Sequence, residues 1–218
     1  MPENRVLLDG KRVGTALAII LFPLVFVFAF AVHPGLSNPH FLGPEELIMR
    51  AHHDGLLQFG HLLVTLCTVL LIVAALHFMT ILEKSSAWAG TIGGMLAISG
   101  AVILAADKGA LCLTMSAFDR LPEPQFSQML PGLLAMFSRQ GWLVILWGIV
   151  LLPIGFAIQA LALIGTRALP RWQGITFLIG VLFVGTPDGA EIINLGASLL
   201  MAAAMVPYGI TLLKEPRM

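Results

Sequence analysis

One apolar segment carries a row of polar side chains whose types suit ligand binding. Asp54, Gln58, His61, Thr65 and Thr68 follow one another at spacings of three or four residues. This spacing places the five side chains on one face of an α-helix. On an apolar helix, such a face lines a wet cavity or meets a neighbouring helix, because polar groups are costly in lipid. The row is a candidate binding surface for a small polar ligand or ion, and interhelical hydrogen bonding is the alternative role.

Two further apolar segments add charged groups to the candidate site. Asp107 and Lys108 follow a stripe of glycine and alanine residues that allows close helix packing, and Asp107 shares the face of that stripe. Glu191 and Asn194 lie near the start of the last segment, where Glu191 with Asp188 also suits a helix N-terminus. If these segments meet, we expect Lys108 to pair with Asp107 or Glu191. The candidate ligand-binding residues are Asp54, Gln58, His61, Asp107, Lys108, Glu191 and Asn194.

Some of the same side chains could ligate a metal ion, which makes a metal a candidate cofactor. The nitrogen and oxygen donors are His53, Asp54, His61, Asp107 and Glu191. No HExxH or ExxH motif occurs, and Asp54 and His61 are two helical turns apart, about 10.5 Å along the axis. A shared ion therefore requires a bend or several converging helices. Haem is disfavoured, because bis-histidine ligation takes imidazoles from two facing helices whereas His61 and His77 share one segment.

The sequence carries no signature of nucleophilic catalysis. No GxSxG motif occurs, and Cys67 lies among Leu, Val and Thr, where a thiol is usually inert. Cys67 and Cys112 are the only two cysteines, which excludes a disulfide scaffold and a four-thiolate zinc site. The sequence therefore does not indicate an enzyme.

The composition defines the environment of these residues. Hydrophobic types make up 58% of the 218 residues and charged types 11%, against about 45–50% and about 25% in an ordinary soluble domain. The mean hydropathy is +0.92. The net charge is zero, so no basic surface exists for nucleic acid. These values exclude a soluble globular enzyme, a disordered chain and a nucleic-acid-binding protein, and they predict a multi-pass membrane protein in a lipid bilayer.

Six apolar segments are predicted to cross the bilayer as α-helices. They cover residues 13–32, 55–82, 87–106 with an alternative end at 118, 142–164, 172–185 and 190–213. The first is expected to be a retained span, because its apolar run exceeds the roughly 7–15 residues of a signal peptide. The fifth is short, so the turn that follows it is expected to dip into the membrane. The sequence predicts an all-α six-helix bundle that forms a single membrane domain, residues 1–218.

The distribution of lysine and arginine predicts the orientation. On the side of the termini lie Arg5, Lys11, Arg12, Lys84, Arg167, Arg171, Lys214 and Arg217, and on the opposite side lie Arg50, Lys108, Arg120 and Arg139. Both termini are therefore predicted to be cytoplasmic, in the inner or plasma membrane. The polar site would open outward, towards two long loops at about residues 33–54 and 109–140.

The last third of the chain resembles a group of uncharacterised proteins. Leu169-Pro170-Arg171-Trp172 precedes the fifth segment, and the acidic Glu191 lies near the start of the sixth. This arrangement is similar to the six-helix bacterial membrane proteins grouped as DUF4386-like. The resemblance implies a six-helix integral membrane fold and carries no known activity, so it transfers no residue roles.

Three functions stay open from the sequence. The first is binding or passage of a small polar ligand or ion through an outward-facing cavity, with a homo-oligomer expected because six helices are few for a carrier. The second is an accessory or structural subunit of a larger membrane complex, in which the polar residues only specify helix packing. The third is an intramembrane metal-binding protein with redox or hydrolytic chemistry.

Overall fold

The computed structural model describes a mainly helical part of the chain, residues 2–34, 36, 42–185 and 190–214, with side chains from Gly10 onward. Helices account for 86% of it, and these ranges contain no β-strand. In chain order the helices are α1 (Pro2–Ala31), α2 (Pro44–Ala51), α3 (Gly55–Leu82), α4 (Ala87–Phe118), α5 (Glu123–Phe137), a 3-10 helix (Gly141–Val150), α6 (Leu151–Thr166), α7 (Arg171–Phe183) and α8 (Glu191–Lys214).

Five of the described helical segments are long and apolar enough to cross a membrane. They are Gly10–Ala31, Gly55–Leu82, Ala87–Phe118, Gly141–Thr166 and Glu191–Lys214. α7 has 13 residues, about 20 Å at 1.5 Å per residue, which is shorter than the roughly 30 Å hydrocarbon core. This set of helices fits the helical membrane protein that the sequence predicts. A helix suits such a segment because its backbone hydrogen bonds are all made internally.

The long helices and α7 form a bundle in which each helix contacts the next. α1 packs against α3 and α8, α3 against α4, α4 against α6, α6 against α7, and α7 against α8. The middle of the bundle holds Phe22, Phe78, Phe156 and Phe177, all buried. Their ring centroids are 5.8–6.4 Å apart. Aromatic pairs at such distances contribute about 0.5–1.5 kcal/mol each beyond the area that they bury.

Small residues bring α4 and α6 into backbone contact. At Gly100 an added methyl group would collide with the backbone of Leu152, and at Gly155 it would collide with Ala97 and Gly93. Such close approach favours van der Waals contact between helices that gain little from the hydrophobic effect in lipid. The stripe of small residues in α4 thus has the packing role that its spacing predicts.

Two short helices, α2 and α5, lie in the connections that the sequence analysis treated as long loops. They contact each other, and together we call them the cap. Ile48 of α2 packs with Phe126 and Leu133 of α5 against Met115 of α4. The loop prediction was wrong, because helices of 8 and 15 residues are too short and too polar to be recognised as spans. Pro131, which belongs to the second of those predicted loops, lies inside α5.

Candidate functional site

A small cavity lies between the cap and the adjoining ends of α3 and α4. Its volume is about 40 Å³, which is room for about two or three water molecules. Four polar side chains, His33, Gln58, His61 and Lys108, line it together with the apolar residues Leu47, Ile48, Ala51, Leu57, Leu111, Met115 and Phe137. Three of the predicted ligand-binding residues therefore lie at one cavity, and His33 joins them although the sequence analysis did not include it in the site.

Glu191 and Asn194 lie deep in the bundle at the start of α8, each 2% exposed. The Oε1 atom of Glu191 is 3.5 Å from Nδ1 of His33. The ring of His33 is in turn 6.4 Å from that of His61, measured between centroids. A buried carboxylate needs a nearby cation or hydrogen-bond donor. α8 therefore reaches the cavity through His33 and does not line it directly, while Asp188, the predicted capping residue, lies outside the described residues.

Asp107 and Lys108 lie within α4, because the helix continues to Phe118 instead of ending near residue 106. The Nζ atom of Lys108 is 3.5 Å from Oδ2 of Asp107, a pairing that agrees with the sequence prediction. An Nη atom of Arg139 lies 3.7 Å from the other carboxylate oxygen. The Arg139 guanidinium also lies over the ring of Trp147, 5.0 Å from its centroid. Asp107 is thus held between two cations, of which the sequence analysis identified one.

Asp54 has a structural role at the start of α3. Its Oδ1 atom accepts hydrogen bonds from the backbone N–H groups of Leu56 and Leu57 at 3.0 and 2.9 Å. This is helix N-capping, which satisfies amides that have no partner within the helix. The hydroxyls of Thr65 and Thr68 donate to carbonyls of their own helix at 2.9 and 2.7 Å. Of the five residues in the predicted polar row, only the second and third, Gln58 and His61, line the cavity.

Asp119, just beyond α4, joins the turn between α2 and α3 to the bundle. Its Oδ1 atom lies 2.8 Å from Nδ1 of His52 and accepts a hydrogen bond of 3.0 Å from the backbone N–H of His53. Its Oδ2 atom accepts a hydrogen bond from the side-chain amide of Gln58. The other end of that amide, Oε1, accepts a hydrogen bond of 2.7 Å from the hydroxyl of Ser116. Asp119 therefore links the turn before α3 with α3 and α4.

The surroundings of Asp119 make it a stronger acid than an ordinary aspartate. Partial burial raises the pKa of the carboxyl, but the hydrogen bonds from His53, Gln58 and His52 and the charge of His52 lower it further than burial raises it. The net pKa of Asp119 is therefore below its ordinary value. Sequence patterns could not have identified this residue, since its partners lie 61–67 positions away along the chain.

The five predicted metal ligands are distributed over four places. These are the N-cap of α3 (Asp54), the ion pairs in α4 (Asp107), the surroundings of His33 (His61 and Glu191) and the turn before α3 (His53). Among the described residues, His53 also belongs to a group of potential ligands whose other members, His52 and Glu123, the sequence analysis did not propose. The predicted set as a whole therefore does not occupy one position.

Comparisons with known proteins offer no guide to this site. No protein-family model, no curated protein and no solved structure matches the chain. The resemblance to six-helix bacterial membrane proteins therefore stays a prediction. The function must be inferred from the cavity, the cap and the side chains between them.

Proposed function

We propose that this chain is a six-span integral membrane protein that binds a small polar ligand or ion in the cavity under the cap. In this proposal the short α7 also crosses the membrane, as the fifth of the six spans. Both termini are cytoplasmic and the cap faces outward. The orientation is supported by Lys84 and Arg167 in the short connections and by Arg171 at the start of α7, all at the end of the bundle opposite the cap, as the positive-inside rule requires.

The observation that carries the proposal is the polar lining of a cavity with otherwise apolar walls. Gln58, His61 and Lys108 come from two helices and reach the same space of about 40 Å³ as His33. Polar side chains in apolar surroundings are costly unless they are hydrogen-bonded, and each of these four has partners within the protein. A ligand or water in this space would add to those contacts. The volume suits a single ion or a few waters.

The charged neighbours of the cavity suit an ionic ligand. Lys108 lines the cavity and lies 3.5 Å from Asp107, and His33 lines it and lies 3.5 Å from Glu191. Each pair combines an imidazole or an ammonium group that lines the cavity with a carboxylate 3.5 Å away. A small shift within one pair would let its carboxylate meet a bound cation, or its ammonium or imidazole group meet a bound anion. No charge in the bundle would then be left without a partner.

The test is the thermal unfolding of the purified full-length protein in detergent with sodium, potassium, ammonium, chloride or formate ions at constant ionic strength. An ion present at about 100 times its Kd adds about 2.7 kcal/mol of stability, which raises the Tm by about 5–10 °C for a chain of this size. We expect one ion to do so. Lys108→Gln or His61→Gln should remove the shift.

Matched controls lie at the other end of the bundle. Lys84→Gln and His77→Gln make the same chemical changes far from the cavity and should retain the shift. If no ion raises the Tm of the wild-type protein, or if the shift survives in both cavity variants, the proposed ligand site is wrong. Proteoliposomes that contain a pH-sensitive or ion-sensitive dye then separate binding from passage.

An accessory subunit of a larger membrane complex is a second candidate function, favoured by the exposure of the 3-10 helix. None of the residues in Gly141–Val150 is buried, and Trp142 is 95% exposed. In the apolar 18-residue stretch of Gly141–Thr166, 17% of the residues are buried, whereas 39–44% are buried in the corresponding stretches of the other four long segments. A helix of another subunit would cover this face. Cross-linking from Ile145→Cys in native membranes should then yield an adduct of one defined mass, whereas reaction with lipid alone counts against this function.

A further inference from the structure

We propose that the cap carries a binding site for a divalent transition-metal ion, with zinc as the best fit, formed by His52, His53 and Glu123. One donor atom of each side chain lies within 4.8 Å of the donor atoms of the other two. Two imidazoles, one carboxylate and a water form a ligand set that zinc takes in tetrahedral coordination. None of the three side chains lines the cavity, so the site is separate from the proposed ligand site.

Asp119 holds His52 in the orientation that a metal ligand needs. Its Oδ1 atom lies 2.8 Å from Nδ1 of His52, and since a carboxylate only accepts, Nδ1 carries a proton. The Nε2 atom lies 3.3 Å from Oε2 of Glu123, so a metal ion that displaces the Nε2 proton would find the nitrogen lone pair and this carboxylate directed at the same place. A carboxylate on the far ring nitrogen is the usual support of a metal-binding histidine, because it sets the tautomer and the ring orientation.

The imidazole plane of His52 is fixed by packing as well as by hydrogen bonding. Its ring stacks on that of Phe126, with a centroid distance of 3.6 Å and an interplanar angle of 11°. Phe126 is fully buried in the cap. The side chain of His52 is only 7% exposed. Since it cannot turn away without disturbing the cap, the first ligand is preorganised.

An unusual backbone conformation brings His53 to the same place. Its φ angle is +59°, in the left-handed region that residues other than glycine seldom adopt. Side chains of adjacent residues diverge on a regular helix, but here the rings of His52 and His53 are 3.9 Å apart between centroids. The hydrogen bond from the His53 N–H to Asp119 holds the turn. Strained backbone of this kind is concentrated at functional sites.

The remaining adjustment needed for coordination is small. Bond lengths of about 2.0–2.2 Å in a tetrahedral site place neighbouring donor atoms about 3.4 Å apart, so donors that lie within 4.8 Å of one another must approach by at most about 1.4 Å. His53 and Glu123 are 62% and 63% exposed, so rotation of their side chains closes the site without repacking. Because Glu123 belongs to α5 and the histidines precede α3, a bound ion would tie α5 to the bundle and hold the cap over the cavity.

The test is a zinc titration of the full-length protein in detergent, without a polyhistidine tag and after treatment with a chelator. Competition with a chromophoric zinc indicator should show one zinc per chain. Co²⁺ in place of zinc should produce the visible ligand-field bands of a four-coordinate site. We expect His53→Asn and Glu123→Gln each to raise the Kd for zinc at least tenfold, and the double variant to raise it at least 100-fold. Asparagine tolerates the left-handed backbone, so the turn is retained.

Asp119→Asn tests the positioning role, and it should raise the Kd about 10–100-fold while the stoichiometry stays at one. Glu46→Gln in α2 and His77→Gln in α3 are matched controls that should bind zinc as the wild-type protein does. His61→Gln, a cavity variant, should also keep its zinc affinity, so the two proposals can fail separately. An unchanged Kd in the double variant overturns the site, as does a wild-type protein that shows neither indicator competition nor cobalt bands.

Discussion

The strongest consequence of the structure is that one carboxylate, Asp119, holds the cap over the cavity. Replacement by alanine removes the acceptor for His52 Nδ1, for the His53 N–H and for the Gln58 amide. A hydrogen bond to a charged group contributes about 1.5–3 kcal/mol, and bonds that share one acceptor are not additive. We therefore expect Asp119→Ala to favour opening of the cap by about 3 kcal/mol in total, while the apolar contacts of Ile48 are retained.

We expect chemical labelling of Cys112 to report this opening. It is buried, and its thiol donates to the backbone carbonyl of Gln58 at 3.4 Å, close to the residues that line the cavity. When opening is fast relative to labelling, the labelling rate follows the population of the open state. A change of about 3 kcal/mol therefore corresponds to an increase of about 100-fold, since about 1.4 kcal/mol is a factor of ten. The assay is reaction with a water-soluble maleimide in a Cys67→Ala background.

Glu46→Ala is the matched control for this experiment. Glu46 also lies in the cap, but its carboxylate pairs with Arg50 one turn along the same helix, and both side chains are exposed. An exposed pair of this spacing contributes about 0.3–0.5 kcal/mol, so labelling of Cys112 should change less than about threefold. If the maleimide reacts with Cys112 in the Asp119→Ala variant at a rate within about threefold of the wild-type rate, Asp119 does not hold the cap and the reasoning is refuted.

Three further predictions follow from individual contacts. Gly155→Ala should destabilise the bundle by about 1–3 kcal/mol through its clash with α4. Gly196→Ala is the control and should not, because the space around Gly196 is open. Equal unfolding midpoints of the two variants in mixed micelles would contradict this. Asp54→Ala should cost about 1 kcal/mol by removing the N-cap of α3, which hydrogen exchange at the first turn of α3 would detect. The pKa of Asp119 is lowered in the folded state, so its ionised carboxylate stabilises the fold. This contribution is complete above the ordinary carboxyl pKa of about 3.9, and it is lost as the pH falls through the lower pKa of the folded state. The stability difference between wild type and Asp119→Asn in metal-free protein should therefore shrink at acidic pH, and a difference independent of pH would argue against it.

Much of the helical architecture could be predicted from the sequence, because hydrophobic runs are local. A stretch such as Gly55–Leu82 has no means other than a helix to pair its backbone in an apolar environment. The facing of polar groups is also local, since a spacing of three or four residues defines one side of a helix. This is why Gln58 and His61 were expected to lie together and do so. The close packing at the glycines of α4 follows from the same kind of pattern.

The tertiary structure alone decided which helices meet and what each polar group does there. Helical periodicity specifies a face, but the neighbour that this face meets depends on the path of the connections, and here those connections fold into the cap. Asp119 with His52, His33 with Glu191 and Arg139 with Asp107 are contacts between distant parts of the chain, and none of them repeats at a helical spacing. Asp54 has the residue type of a ligand, yet its position one residue before α3 makes it a cap, because the first amides of a helix have no other partner.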